Sequence, residues 1–237
     1  MISYEKFAPF YDEVMGDRKA SAAEVRSMLQ KHHPKCESVL ELACGTGAVL
    51  QYLAEDYEVA GLDLSPSMLR VARRRLPRVK LHRGDMTEFE LKRGFDAIIC
   101  VFDSINHLLQ FSKWQRVFTR CHSHLNNDGI FLFDVNTPSK LKSFGAAPVW
   151  VHQFGSDYLI MDVDCDKRAL STWDIKVFEK QKGGQFRLHA EVIREKAFPR
   201  AQIKDALLKR YRSVKVVDLK RGRVSDSSEK LHFVARK

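Results

Sequence analysis

"VLELACGTGAVL", residues 39–50, sets a strand-like apolar run against a loop holding two glycines and a threonine. Gly45 and Gly47 let the chain turn sharply and let a ligand approach the backbone, and a helix that follows presents its N-terminal N–H groups to the same spot. A tight strand-to-helix turn with nothing bound accounts for the glycines equally well. A dinucleotide loop, G-x-G-x-x-G, is disfavoured, because Leu50 stands where a third glycine permits close helix–strand packing. No Walker loop of the form G-x-x-x-x-G-K-[ST] is present. Glu41, just ahead of the loop, would repel a pyrophosphate and suits a cationic ligand; a strand carboxylate paired with a lysine or the backbone is its plainer explanation.

Working outward, the opening stretch, about residues 3–31, reads helical, with Ala22, Val25, Met28 and Leu29 on one face and Pro34 closing it. Downstream, "YEVAGLDLS" predicts a strand ending in Asp63. Ser65-Pro66 signals a helix start, with serine as cap and proline in the first turn. "VKLHRGD" and "FDAIICVF" predict two more strands, the second continuously apolar and so buried on both faces. "SKWQRVFTRCHSHL" predicts a helix with Ser112 at its cap, and "GIFLFDVN" a fifth strand. This alternation predicts a doubly wound, mostly parallel α/β sheet. After Pro148 the rhythm changes to four extended runs of alternating polarity, separated by "GSD", "KRA" and "QKGG". They predict a small antiparallel β-meander, residues 148–195, inserted into an α/β domain of residues 1–147 and 196–237. "PRAQIKDALLKRY" returns to helix, and "SVKVVDL" and "KLHFVAR" supply two last strands.

Three strand ends carry chemistry. Beside the glycine loop, Asp63 follows Gly47 by 16 residues, where a carboxylate accepts both hydroxyls of a ribose. In "HRGDMTEF", Gly84 turns the chain, Asp85 is placed to receive an adenine amino group, and the Met86 N–H to meet a ring nitrogen. Each alone is an ordinary turn or cap; together on one sheet edge they make an adenosine site. With Glu41 favouring a cation, the expected cofactor is S-adenosylmethionine.

"VLELACGTG", "GLDLSPSML", "HRGDM" and "FDAIICVFDSINHL" resemble the successive motifs of class I S-adenosylmethionine-dependent methyltransferases of small molecules. The resemblance covers roughly residues 1–140, with a fainter echo in the last helix and strands. It implies a seven-stranded sheet whose last strand lies antiparallel between the fifth and sixth. It also implies that Glu41, Ala43, Gly45 and Gly47 surround the methionine moiety, with Cys44 and Thr46 also among the cofactor-binding residues. Asp63 binds the ribose and Asp85 and Met86 hold the adenine, with Leu64, Met68 and Gly84 also among the cofactor-binding residues. Cys100, Val101 and Phe102 run beneath the sulfonium, and Ser104, Asn106 and His107 lead into the acceptor site. "YEKFAPFYDEVMGD" resembles an N-terminal cover in which a tyrosine approaches the cofactor, Tyr11 matching better than Tyr4. The meander resembles the lid of sugar-amine and glycine N-methyltransferases, which would offer Trp150, His152, Tyr158 or Trp173 to the acceptor. His107 and Tyr11 are the catalytic candidates; a loop histidine bonded to backbone is the alternative for His107.

Composition narrows the classes. The net charge of +10 is concentrated: residues 1–140 hold 19 Lys and Arg against 18 Asp and Glu, and residues 201–237 hold 11 against 4. Lys220, Arg221 and Arg223 in the loop between the last two strands could rim the site, attracting a phosphate backbone or a small acidic substrate. Against nucleic-acid N-methylation, "FDSIN" replaces the [DNS]-P-P-[YF] signature, and no Pro-Cys pair marks a C5-pyrimidine nucleophile. The five scattered cysteines lack a C-x-x-C pair, so no metal site is expected, and the opening residues have no export signal. No membrane partner is expected and a cytoplasmic setting is. The expected function is transfer of a methyl group to an N or O atom of a small molecule. An RNA or protein methyltransferase and a non-catalytic cofactor-binding protein are the competing readings.

Overall fold

The computed structural model describes residues 4–237. Its larger sheet has seven strands in the order β10-β11-β5-β4-β1-β2-β3. These are β1 (Ser38–Leu42), β2 (Glu58–Asp63), β3 (Lys80–Arg83), β4 (Phe95–Cys100), β5 (Leu125–Asn136), β10 (Ser213–Val217) and β11 (Lys230–Arg236). β1 pairs parallel with both β2 and β4, and β11 pairs antiparallel with β5 and β10. The last strand therefore lies between the fifth and sixth of this sheet, as the resemblance implies. β1 is buried at all five positions, as a parallel strand covered on both faces must be.

Helices α5 (Phe111–His124) and α7 (Arg200–Leu208) cover one face through Trp114, Val117, Phe118, Ile203 and Leu207. The other face is covered by α2 (Lys19–His32), α3 (Leu50–Leu53) and α4 (Pro66–Arg75) through Val25, Met28, Leu29, Leu53 and Leu69. Ser65 caps α4 as predicted, accepting the Met68 N–H at 3.1 Å. α5 corrects its expected cap: the helix begins at Phe111, and Gln110 precedes it with no side-chain cap. The single opening helix is also corrected. Tyr4 to Phe10 form turns, α1 (Tyr11–Met15) is short, and the chain breaks at Gly16 (φ 69°) before α2; residue 3 lies outside the described residues. An eight-residue helix, α6 (Pro138–Gly145), follows β5, capped by Thr137.

The four extended runs form a separate antiparallel sheet in chain order: β6 (Trp150–Phe154), β7 (Asp157–Cys165), β8 (Leu170–Lys180) and β9 (Phe186–Lys196). Its inner face, with Phe154, Leu159, Ile175, Val177 and Ile193, packs on Phe7 and Phe10 of the N-terminal segment. Among the described residues no helix is long and apolar enough to cross a membrane.

The sheet leaves no spare room behind the glycine loop. A Cβ on Gly61 of β2 would meet Cys44 Sγ at 2.7 Å, Leu81 Cδ2 at 2.8 Å and Leu50 Cδ1 at 2.9 Å. Gly61→Ala is therefore expected to cost about 1–3 kcal/mol by overpacking, read as a lowered urea midpoint at unchanged slope.

Candidate functional site

The glycine loop is shaped by its own backbone and by one carboxylate. Ala43, Gly45 and Gly47 all have left-handed φ, 53°, 54° and 73°. A Cβ on Gly45 would meet nothing within 4 Å, whereas one on Gly47 would strike Leu76 at 2.7 Å. Gly45 is thus open to a ligand, while Gly47 lets α4 approach. Asp63 Oδ2 accepts the Gly45 N–H at 2.7 Å, and its Oδ1 accepts the Ser65 N–H at 2.8 Å. Burial pushes the Asp63 carboxyl up, against the pull of these amides.

A cavity of about 260 Å³ opens at these strand ends. Ala43, Gly45, Asp63, Leu64 and Met68 form one wall, and Gly84, Asp85 and Met86 the far end. Tyr4, Tyr11, Phe102, Ser104 and His107 close the near end. Leu62, Ser65, Leu108 and Lys113 also line it; the first three fall inside the quoted motifs without having been named as site residues, and Lys113 lies outside them.

Other predicted residues stand behind the walls. Glu41 and Cys44 are buried; burial, with Asp63 nearby, pushes the Glu41 carboxyl well above the usual range, and its Oε2 has no hydrogen-bond partner among the described residues. Thr46 is buried and committed, its hydroxyl donating to Asp12 at 2.6 Å. Cys100 is fully buried, and Val101 faces a separate cavity of about 40 Å³ on the α2 side.

Three expected substrate contacts are corrected. Asn106 is 0 % exposed, and its side chain is spent on a knot. Its Nδ2 donates to the carbonyls of Asn136 and Lys196 at 3.0 and 3.1 Å, and its Oδ1 accepts the Asn136 N–H at 3.1 Å. Tyr158 points to the outer face of the lid, beside Val151, Ile160, Phe178 and Phe186, because strand alternation turns its neighbour Leu159 inward. Trp150 stacks on His152 at 5.3 Å and stays 41 % exposed at the lid's edge. Trp173 packs edge-on against Phe144 of α6, and neither His152 nor Trp173 lines the cavity.

At the near end, Tyr4 rather than Tyr11 meets His107, its hydroxyl 3.2 Å from Nε2, while Nδ1 lies 3.3 Å from the Arg194 carbonyl. A carbonyl only accepts, so Nδ1 carries the proton and Nε2 accepts from Tyr4. Burial keeps His107 below the ordinary imidazole value of 6.5. Tyr11 stands edge-on to Tyr4 at 5.7 Å. Two carboxylates sit close by: burial pushes Asp103 up to about 6, against the nearby Lys230 charge, and Glu195 to about 8. Lys230 pairs with Asp103 at 3.7 Å and with Asp134 at 3.0 Å.

The N-terminal segment straps this end shut. Glu191 of the lid accepts the Glu5 and Phe7 N–H groups, each at 3.2 Å. Glu5 in turn accepts the hydroxyls of Ser65 and Ser67 at 2.5 and 2.7 Å, and Asp12 pairs with Arg75 at 2.7 Å.

Residues 39–129 match the family described as a methyltransferase domain. The chain is 40% identical over 119 residues to the dTDP-3-amino-3,6-dideoxy-alpha-D-glucopyranose N,N-dimethyltransferase of Streptomyces fradiae, an alignment covering 50% of this chain and 47% of that one. It thus spans about half the length of that relative. Two solved structures superpose along nearly the whole chain. One is a S-adenosylmethionine-dependent methyltransferase from Clostridium acetobutylicum (TM-score 0.86, 22% identity, 98% of each chain). The other is an amino pentose methyltransferase from Micromonospora echinaspora, solved with S-adenosylmethionine bound (TM-score 0.79, 24% identity, 100% of this chain and 98% of that one). Residues 39–129 are thus similar to a methyltransferase domain, and the chain has the fold of S-adenosylmethionine-dependent methyltransferases.

The knot ties the lid to the sheet. Asn106→Ala, which strands two buried carbonyls and an amide, is expected to lower stability by roughly 2–4 kcal/mol. Chemical denaturation followed by tryptophan fluorescence measures it.

Proposed function

We propose that the protein is an S-adenosylmethionine-dependent methyltransferase acting on an amine nitrogen of a small molecule, of the amino-sugar kind. The observation that carries this reading is the cavity itself, with the Gly45 backbone, Asp63 and Asp85–Met86 along it and the Tyr4–His107 pair at one end. The cofactor fits the residues present: Gly45 faces open space, and Glu41 leaves a buried carboxylate oxygen without a partner beneath the same loop. Asp63 would hold the ribose and Asp85 with Met86 the adenine. When bound, S-adenosylmethionine supplies a methyl carbon activated by its sulfonium.

The chain's own residues then orient the acceptor and handle its proton. The Tyr4 hydroxyl and His107 Nε2 offer a path for the proton that an ammonium must lose before its nitrogen becomes a nucleophile. The relatives named for amino sugars support the same class. Lys220, Arg221 and Arg223 do not line the cavity, and Arg221 is engaged with Ser227. This gives the RNA or protein reading no support at the site.

Calorimetric titration with S-adenosylhomocysteine tests the cofactor part, and an absence of binding would falsify the whole reading. Labelled methyl transfer to a dTDP-3-amino sugar, against its 3-hydroxy counterpart, tests the acceptor class; the amine alone is expected to be methylated. Tyr4→Phe and His107→Gln are expected to lower kcat by about 10²–10³-fold with little change in cofactor affinity. Because burial lowers His107, its neutral, proton-accepting form persists below pH 6.5. The acidic limb of kcat should therefore fall below that pH and vanish in His107→Gln.

A further inference from the structure

The turn that carries Phe102, Ser104 and His107 to the cavity is held by a charge from the far side of the sheet. β4 ends at Cys100, opposite Phe133 of β5. Phe102 and Asp103 then both take left-handed φ, 58° and 50°, before the 3₁₀ turn Ser104–His107. Neither is glycine, so this reversal persists only where its neighbours over-determine it. Asp134, one residue past Phe133 on β5, accepts the Asp103 N–H through Oδ1 at 2.6 Å. Lys230, at the start of β11, pairs with Asp134 Oδ2 at 3.0 Å and with the Asp103 carboxylate at 3.7 Å. Its ammonium also lies 5.6 Å from the Phe102 ring centroid. Lys230 itself does not line the cavity.

Without a cation between them, the Asp103 and Asp134 carboxylates would repel one another where little water reaches them. Burial pulls the Lys230 ammonium down, and the two carboxylates more than offset it. The same segment is tied again downstream. The Asn106 N–H donates to the Asp103 carbonyl at 2.7 Å, and the Asn106 side chain is knotted to Asn136. Asn136 is the β5 register partner of Lys230. An unbroken set of bonds thus runs from the first residue of β11 to the turn that ends in His107. We propose that Lys230 is a positioning residue for methyl transfer: by holding Asp103 against Asp134 it fixes the left-handed turn, and through it the places of Phe102, Ser104 and His107. This rests on reading the cavity as a methyltransferase site. It gives the strand inserted antiparallel into the sheet a part in the chemistry.

The test compares Lys230→Met, Lys230→Arg and the double variant Lys230→Met/Asp103→Asn in the full chain, well below the melting midpoint of each. With a dTDP-3-amino sugar as acceptor, Lys230→Met is expected to lower kcat about 10–100-fold through misplacement alone. S-adenosylhomocysteine affinity, read by calorimetry, should stay nearly unchanged. Lys230→Arg keeps a cation between the carboxylates and should restore most of kcat. The double variant removes the uncompensated carboxylate and places asparagine, which tolerates left-handed backbone, at the turn; it should recover about tenfold over Lys230→Met. An unchanged kcat in Lys230→Met overturns the proposal. So does a loss that neither Lys230→Arg nor the double variant reverses, which would mark Lys230 as a support of the fold only. A second readout is independent of the acceptor: the imidazole signals of His107 in a proton–nitrogen correlation spectrum, assigned by their absence in His107→Gln. They should shift in Lys230→Met and return in Lys230→Arg, and no shift overturns the proposal. If the unsubstituted protein methylates no amine, the reading of the acceptor has failed, and the His107 signals alone decide the role of Lys230.

Discussion

The carboxylate of Asp63 accepts the amides of Gly45 and Ser65, and this one group fixes the distance between the two loops that wall the cavity. Those loops leave adjacent parallel strands, paired from Ser38–Glu58 to Leu42–Leu62, so the sheet sets their starting points and Asp63 sets their ends. Charge-assisted bonds to two backbone amides are stronger than neutral ones. A ribose at this edge would therefore meet a carboxylate already aimed and held. Preorganisation of this kind spares the site part of the ordering cost of binding.

The opposite end of the cavity is assembled from parts distant in sequence. Tyr4, His107 and Arg194 come from the opening turns, the loop after β4 and the lid, and they touch through one imidazole. The strap that makes this possible is held by carboxylates at both ends: Glu191 on the lid, Glu5 and Asp12 toward the cofactor loops. Several of these bonds are partly exposed, and each alone contributes little. Their joint effect, with Phe7 and Phe10 packed in the lid's apolar face, is to hold the N-terminal segment across this end of the cavity.

Much of this was legible in the sequence because the α/β part obeys local rules. The strand alternation, the Ser65-Pro66 cap and the three strand-end motifs each follow from short-range chemistry, and the fold follows from them. The opening helix misled because the helical stripe of Ala22, Val25, Met28 and Leu29 belongs to α2 alone, while the chain before it breaks at Gly16, whose backbone is left-handed. The lid misled differently. Its strands alternate, so either parity is compatible with sequence, and only packing on Phe7 and Phe10 turned Leu159 inward and Tyr158 outward. Asn106 looked like a polar contact for substrate. Its partners, the Asn136 and Lys196 backbones, lie 30 and 90 residues away, beyond any pattern of spacing.

The turn after β4 shows where strain is stored. Phe102 and Asp103 both have left-handed φ, 58° and 50°, although neither is glycine. Such residues cost of order 1–3 kcal/mol each and persist only where their surroundings over-determine them. Here the surroundings are specific: Asp134 accepts the Asp103 N–H at 2.6 Å, Lys230 pairs with both carboxylates, and Arg18 covers the Phe102 ring. A relaxed extended continuation would carry the chain straight off the sheet edge. The double left-handed turn instead folds it back, laying Phe102 and Ser104 along the cavity and bringing His107 within reach of Tyr4. Asp134, Lys230 and Arg18 thus act on the near end through backbone geometry. A substitution among them would disturb the position of His107 without touching it.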